Sequence, residues 1–111
     1  MLSQLHKVAL DDEVAFLLSQ GMEQVSTKDF ASRWKDAGFT IEYSSTIKQF
    51  SRWLSGPRAG LSTPIAAIHL NIAGTSRSWA HCDNPPEIYA KVQAMRHSFF
   101  AVTRDGYIME V

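Results

Sequence analysis

The spacing of apolar residues changes along this chain, and the change falls near Gly56. Before Gly56, apolar residues recur every three or four positions, which is typical of amphipathic helices. After it, the side chains of residues 65–73 follow a pattern with a period of two, in which one set faces the core and the other faces solvent. This pattern is typical of a half-buried strand. The pattern therefore predicts a chain that is helical first and β-rich later.

Two helices are predicted before residue 39. The first covers most of residues 1–20 and ends at Gly21. The second begins after Ser26, whose hydroxyl can cap the helix together with the carboxylate of Asp29. Gly38 then supplies the left-handed residue with which helices commonly end.

A third helix is predicted from Thr40 or Ser44 to Leu54. Its buried face is marked by apolar residues at steps of four, three and four, namely Tyr43, Ile47, Phe50 and Leu54. About half a turn away lies a stripe of hydrogen-bond donors and two cations, formed by Ser45, Lys48, Gln49 and Arg52. Such a stripe suits base edges and phosphates, although any solvated helix face can carry the same residues.

Residues 25–56 resemble the helix-turn-helix of bacterial and phage winged-helix regulators. The resemblance is carried by Phe30-Ala31-x-x-Trp34 and, after the glycine turn, by Ser44-Ser45-Thr46-Ile47 at the start of a recognition helix. It implies a three-helix core in which residues 1–20 pack behind Phe30 and Trp34. It also implies that the donor stripe of the third helix enters the major groove of DNA.

The second half of the chain predicts a strand, a helix and a hairpin. Residues 65–73 form the strand, and Asn84-Pro85-Pro86-Glu87 begins a helix that ends near Arg96 or His97. Residues 98–111 form two apolar runs around a polar tip, which indicates a β-hairpin. The predicted fold is thus α+β in one domain, residues 1–111. A helix-turn-helix-like core of three helices (1–56) precedes an antiparallel sheet of about three strands with one further helix (57–111).

Two arginines outside the third helix are further candidates for DNA contact. Arg58 lies in the loop after that helix, and Arg104 lies at the tip of the hairpin, where a wing would meet a phosphate or the minor groove. Taken alone, Arg104 is an ordinary turn residue. Because about forty residues separate Leu54 from Phe99, the chain is either an elaborated winged helix or an unrelated α+β domain.

Charge sets a limit on the DNA-binding interpretation. The formal net charge is zero, which argues against a protein that holds nucleic acid by bulk electrostatics. Residues 26–58 nevertheless carry six cations against three acids, which predicts moderate, salt-sensitive affinity. A homodimer would present this patch twice, and the apolar face of Ile88, Val92 and Met95 either joins two copies or covers the sheet.

The sequence contains little that indicates catalysis, a cofactor or a membrane. Cys82 is the only cysteine, and no leader or apolar stretch of about 20 residues is present, so a reduced cytoplasmic location is expected. His81, Cys82 and Asp83 are adjacent, which is poor geometry for a metal site or a nucleophile with its base. No nucleotide-binding or catalytic motif occurs, so we expect no enzyme, no metal and no cofactor.

Two functions remain open at this point. The first is a prokaryotic or phage transcriptional regulator that binds double-stranded DNA through Ser45, Lys48, Gln49, Arg52, Arg58 and Arg104. The second is a protein-interaction module, such as an inhibitor, an adaptor or a phage antagonist of a host protein. An exposed apolar patch containing Trp53 and Trp79 would favour the second.

Overall fold

The computed structural model describes residues 3–52, 54, 56, 59–79 and 85–111, and for residues 44–49, 51 and 52 it describes the backbone only. The elements in chain order are α1 (Gln4–Ser19), β1 (Glu23–Val25), α2 (Thr27–Asp36), β2 (Phe39–Arg52), β3 (Ser62–Ile72), α3 (Pro86–Arg96), β4 (Phe99–Val102) and β5 (Ile108–Glu110).

The strands of the described ranges form one mixed sheet of five in the order β1-β4-β5-β3-β2. The pairs β4–β5 and β2–β3 are antiparallel, whereas β1–β4 and β3–β5 are parallel. The short strand β1 and the long strand β2 therefore lie at the two edges of the described sheet.

The helices cover both faces of this sheet. Phe99 and Ala101 of β4 pack in a cluster with Trp34 of α2 and Val92 of α3. Phe100, between them in the strand, packs instead with Leu17 of α1 and Ile108. Because successive strand residues point to opposite faces, α2 and α3 lie on one face and α1 lies on the other.

Helix α2 forms as the sequence predicts. The backbone N–H of Asp29 donates to the hydroxyl of Ser26 at 3.1 Å, which caps the first turn. Phe30 and Trp34 are buried one turn apart against the sheet. The chain leaves the helix through Gly38, whose φ of 98° is a conformation that side chains disfavour.

The predicted third helix is wrong, because residues 39–52 form strand β2. This strand pairs antiparallel with β3, from Phe39 opposite Ile72 to Arg52 opposite Ser62, with a register shift between Tyr43 and Lys48. The steps of four, three and four between apolar residues fit a helix by coincidence. The stretch contains the β-branched residues threonine and isoleucine, and the partner strand β3, whose paired residues lie 10 to 33 positions further along the chain, provides the pairing.

The predicted fold class is also wrong, although the chain does combine helices and a sheet. Only α1 and α2 precede the long hairpin, and α1 packs on the face opposite Phe30 and Trp34 rather than behind them. The sheet has five strands in mixed orientation instead of about three antiparallel ones. Its additional strands are β2 and β1, and β1 has three residues, too few to produce a periodic pattern.

The end of the chain agrees more closely with the expectations. Helix α3 ends at Arg96, and β4 and β5 form the predicted hairpin. The helix begins at Pro86 with Pro85 as its N-cap, whereas Asn84 lies outside the described residues. The apolar residues Ile88, Val92 and Met95 pack against the core cluster. A homodimer through this face stays a prediction.

Candidate binding site

Most residues predicted to contact DNA belong to the edge strand. Lys48 pairs with Ala66 and Gln49 with Ile65, and Arg52 occupies the end of the same strand. Ser45 lies within the register shift of β2. The side chains of these four residues and the whole of Arg58 lie outside the described residues. The structure therefore places the four on one strand and not on a helix face.

Arg104 lies exposed in the turn between β4 and β5, at the same end of the sheet as the second half of β2. Phe50 of β2 contacts Tyr107, which follows this turn, with ring centroids 6.1 Å apart. His6 contacts both rings, at 5.2 and 4.6 Å, and its Nε2 donates to the carbonyl of Gly106 at 2.8 Å. These contacts bring the turn of Arg104 close to the strand that carries the other candidates.

The two tryptophans that would separate the functional alternatives give a partial answer. Trp53 lies outside the described residues. Trp79 is half-buried against the core cluster and contacts Tyr89, with ring centroids 5.7 Å apart. An exposed patch built on Trp79 alone is therefore not formed.

A cavity of about 560 Å³, partly open to solvent, is lined by residues of α1, α2 and the end of α3 and by residues of the strands β3, β4 and β5. Its described lining is mostly apolar, with ten apolar side chains among seventeen residues. The lining comes from both faces of the sheet, since Trp34 and Met109 of one cluster and Leu17 and Ile108 of the other all contribute. This volume and this composition are typical of sites that hold a small molecule.

A buried aromatic cluster packs behind one wall of the cavity and contains a hydrogen-bond donor without an acceptor among the described residues. Trp34 is fully buried among the rings of Phe30, Phe39 and Phe99, at centroid distances of 6.4, 5.8 and 5.9 Å. Its indole Nε1 is buried with no hydrogen-bond acceptor in the described part of the chain. A buried donor without an acceptor costs about 1–3 kcal/mol, so native proteins rarely retain one without a reason.

Polar groups line other parts of the cavity, and the structure engages them. Glu13 of α1 is buried, and its Oε2 accepts a hydrogen bond from the hydroxyl of Thr63 at 3.0 Å. A guanidinium nitrogen of Arg96 donates to the carbonyl of Val111 at 2.7 Å. These interactions hold α1 against β3 and the end of α3 against the residue after β5.

The sequence contains a signal for Glu13 but none for the cavity. Leu10, Glu13 and Leu17 recur at steps of three and four, which places a carboxylate on the buried stripe of α1. A charged residue on such a stripe is uncommon and indicates a buried partner. Trp34 was predicted only as part of the core of α2, because the cavity is assembled from segments far apart in the chain.

No protein-family model matches the chain, and comparisons with curated proteins and with solved structures give no match either. Within the described ranges, no group of three or more His, Cys, Asp or Glu side chains is arranged to hold a metal ion. His81, Cys82 and Asp83 fall outside those ranges. No described helix is both long enough and apolar enough to cross a bilayer.

Proposed function

We propose that this protein binds a small apolar molecule in the cavity that residues of α1, α2 and the strands β3, β4 and β5 line. The observation that carries the proposal is the cavity itself, whose volume of about 560 Å³ is lined mainly by aromatic and aliphatic side chains. The cavity is partly open to solvent, so a ligand can enter it. A mostly apolar cavity of this size therefore offers apolar burial to a ligand without a change of fold.

Binding of N-phenyl-1-naphthylamine, a neutral dye whose fluorescence rises in apolar surroundings, tests the proposal. We expect saturable binding of one dye per chain. In Val111→Trp a larger side chain occupies the cavity, and the backbone carbonyl that Arg96 contacts is retained. We expect this variant to lose most of the binding.

Val8→Trp is the matched control, because Val8 is half exposed on α1 and does not line the cavity. It should bind the dye as the natural protein does. Absence of saturable binding, or equal binding by Val111→Trp and the natural sequence, would contradict the proposal. Thermal unfolding of each variant verifies that a loss of binding is not a loss of fold.

We propose, as a second candidate, that the β2–β3 hairpin binds double-stranded DNA. The supporting observation is its charge: residues 39–72 contain three of the eleven lysines and arginines but one of the eleven acids. Antiparallel two-stranded ribbons can enter the major groove. The exposed Arg104 belongs to the turn that contacts this hairpin through Tyr107 and Phe50. A cytoplasmic location remains part of this candidate.

Retention on duplex DNA at rising salt tests the second candidate. The variant Lys48→Ala/Arg52→Ala should reduce the slope of log affinity against log salt by about two, because two phosphate contacts are lost. The control Lys28→Ala/Lys35→Ala removes the same charge from the exposed face of α2 and should keep most of the slope. If the two double variants behave alike, the hairpin is not the DNA-binding element.

A further inference from the structure

Strand β2 forms one edge of the described sheet, and the hydrogen bonds beside it establish which of its backbone groups face outward. The N–H of Ala73 donates to the carbonyl of Gly38 at 2.9 Å, which makes these residues a hydrogen-bonded pair of the β2–β3 ladder. In an antiparallel ladder such pairs alternate with pairs that exchange no hydrogen bond. Phe39, Ile41 and Tyr43 therefore direct their N–H and C=O groups away from β3.

Hydrogen bonds of β3 agree with this assignment. Ile72, which pairs with Phe39, donates its N–H to the carbonyl of Arg77 at 2.9 Å. Leu70, two residues earlier in β3, accepts from the N–H of Trp79 at 3.1 Å. Both residues of β3 thus use their backbone groups on the side away from β2, so the residues opposite them on β2 face the other way.

The outward edge at residues 39–43 is open to pairing with a further strand. It contains neither proline nor lysine, which natural proteins often use to block pairing at sheet edges. The register shift of β2 begins only after Tyr43, so residues 39–43 form a regular stretch. Within the described ranges, no backbone hydrogen bond engages the outward groups of Phe39, Ile41 and Tyr43. An extended segment can therefore add to this edge.

A second copy of this chain supplies a segment that fits. In an antiparallel pair with a two-fold axis at Ile41, the two Ile41 residues face each other and each Phe39 faces the second copy's Tyr43. Every outward N–H and C=O of these three residues then has a partner, because all three occupy hydrogen-bonded positions of the new ladder. An axis at Thr40 or Glu42 would place one of them opposite a residue outside the regular stretch. Two-fold axes are also the commonest symmetry of homo-oligomers.

The side chains of residues 39–43 favour the same pairing. Phe39 belongs to the core cluster and Ile41 packs against it, whereas Tyr43 on the same face is 40% exposed. Pairing places this exposed ring beside the second copy's Phe39, and cross-strand aromatic pairs stabilise sheets. On the opposite face, the carboxylate of Glu42 lies across from the hydroxyl of the second copy's Thr40, so no like charges are directly opposed.

We infer that two copies of this protein associate through their β2 strands. Residues 39–43 of each copy form an antiparallel ladder centred on Ile41, and the two sheets become one continuous sheet. Because this ladder is short, the dimer should be weak, with a dissociation constant on the order of 100 µM. The contact does not involve the cavity, and it leaves the apolar residues of α3 in the core of each copy.

Sedimentation equilibrium from low micromolar to millimolar concentration tests the inference. The average mass of the natural protein should rise from that of one chain towards that of two. Tyr43→Pro removes an outward N–H and keeps the β2–β3 ladder, because this N–H is not donated to β3. Tyr43→Val is the matched control, since it also removes the ring but retains the N–H. We expect association to weaken more than about tenfold in Tyr43→Pro and about threefold in Tyr43→Val.

Hydrogen exchange of the natural protein locates the contact and requires no variant, so it decides the inference even if Tyr43→Pro does not fold. At millimolar concentration the amides of Phe39, Ile41 and Tyr43 should exchange more slowly than at low micromolar concentration. The amides of Thr40 and Glu42, which already face β3, should change less. A single-chain mass at every concentration overturns the inference. Equal association of the two variants, or a dimer without added protection at residues 39, 41 and 43, also overturns it. The proposed cavity is tested separately by the dye.

Discussion

The two faces of the sheet are packed in different ways. On the α2 face, Trp34 contacts three other aromatic rings of the described part of the chain and forms the centre of a cluster of ten described buried residues. On the α1 face, the buried cluster has three residues among those that the structure describes, and a buried polar pair, Glu13 and Thr63, lies beside it. The comparison indicates that the α2 face supplies most of the apolar stabilisation and that the α1 face contributes more of the polar character of the cavity.

Helices α1 and α2 also differ in how much of their apolar surface is buried. Helix α2 buries Phe30 and Trp34 and leaves its charged residues other than the half-buried Arg33 in solvent. Helix α1 is longer, yet Leu5 and Val8 remain 84% and 52% exposed on its outer surface. Since helices in proteins are stabilised mainly by the packing of one apolar face, α1 should be the more weakly held of the two.

Truncation of one central residue on each face gives the largest expected effect. Trp34→Ala should lower the free energy of unfolding by about 3–5 kcal/mol, because it removes a fully buried ring system. Leu17→Ala should cost about 2–3 kcal/mol, since one side of Leu17 already faces the cavity. Urea unfolding measures both values. Equal losses would contradict the unequal packing of the two faces.

The N-caps of the two helices give a smaller and better matched comparison. Ser26 caps α2 and Ser3 caps α1, and each hydroxyl accepts from a backbone N–H at 3.1 Å. Ser26→Ala should lower the free energy of unfolding by about 1 kcal/mol and Ser3→Ala by about 0.5 kcal/mol. The difference arises because Phe30, in the first turn of α2, is buried against the sheet, whereas the first turn of α1 contains no buried residue and can fray before the protein unfolds.

Hydrogen exchange of the first-turn amides measures where each cap acts. Ser26→Ala should increase exchange throughout α2, whereas Ser3→Ala should increase it only at the start of α1. Ser26→Asp restores an acceptor at the cap and should recover most of the stability. A larger loss for Ser3→Ala than for Ser26→Ala would reverse the proposed order of the two helices.

Surface ion pairs should have the smallest effects. Arg33 of α2 forms two contacts with Glu23, at 2.9 and 3.3 Å, and its guanidinium lies 5.1 Å from the ring centroid of Phe99. Lys7 of α1 contacts Asp11 at 3.1 Å, with both side chains largely exposed. Arg33→Ala should cost about 0.5–1 kcal/mol and Lys7→Ala about 0–0.5 kcal/mol.

Measuring the free energy of unfolding at low and high salt distinguishes the ionic contact of Arg33 with Glu23 from its packing on Phe99. Glu23→Gln removes the ionic contact and leaves Arg33 over Phe99, so it should cost less than Arg33→Ala. The effect of Glu23→Gln should decrease in 1 M NaCl, because exposed pairs are screened. Equal losses from both variants at all salt concentrations would show that the ring contact contributes nothing measurable.

Local signals predicted the helices well where they were complete. Ser26 and Gly38 enclose α2, Gly21 follows α1, and the polar tip around Arg104 joins β4 to β5. Each of these features depends on residues within a few positions of one another. Caps, turns and glycine conformations are decided by that local geometry.

The failure at residues 39–52 has a different origin. The apolar residues of this stretch satisfy a helical spacing, and Phe39 and Ile41 also alternate with the exposed Thr40 and Glu42 as a strand requires. Which pattern forms depends on a partner, and the partner is β3. Tertiary context therefore overrode a weak local preference.

The sequence by itself determined the caps of α2, the end of α1 near Gly21, the approximate bounds of the three helices, the C-terminal hairpin and the strand character of β3. Only the tertiary structure decided that β2 is a strand, that α1 and α2 lie on opposite faces, and that Glu13 and Trp34 line one cavity. The physical reason is the separation along the chain over which each kind of interaction acts. Capping and turn geometry act between neighbours in the chain, whereas strand pairing and the shape of a cavity depend on segments that meet only when the protein folds.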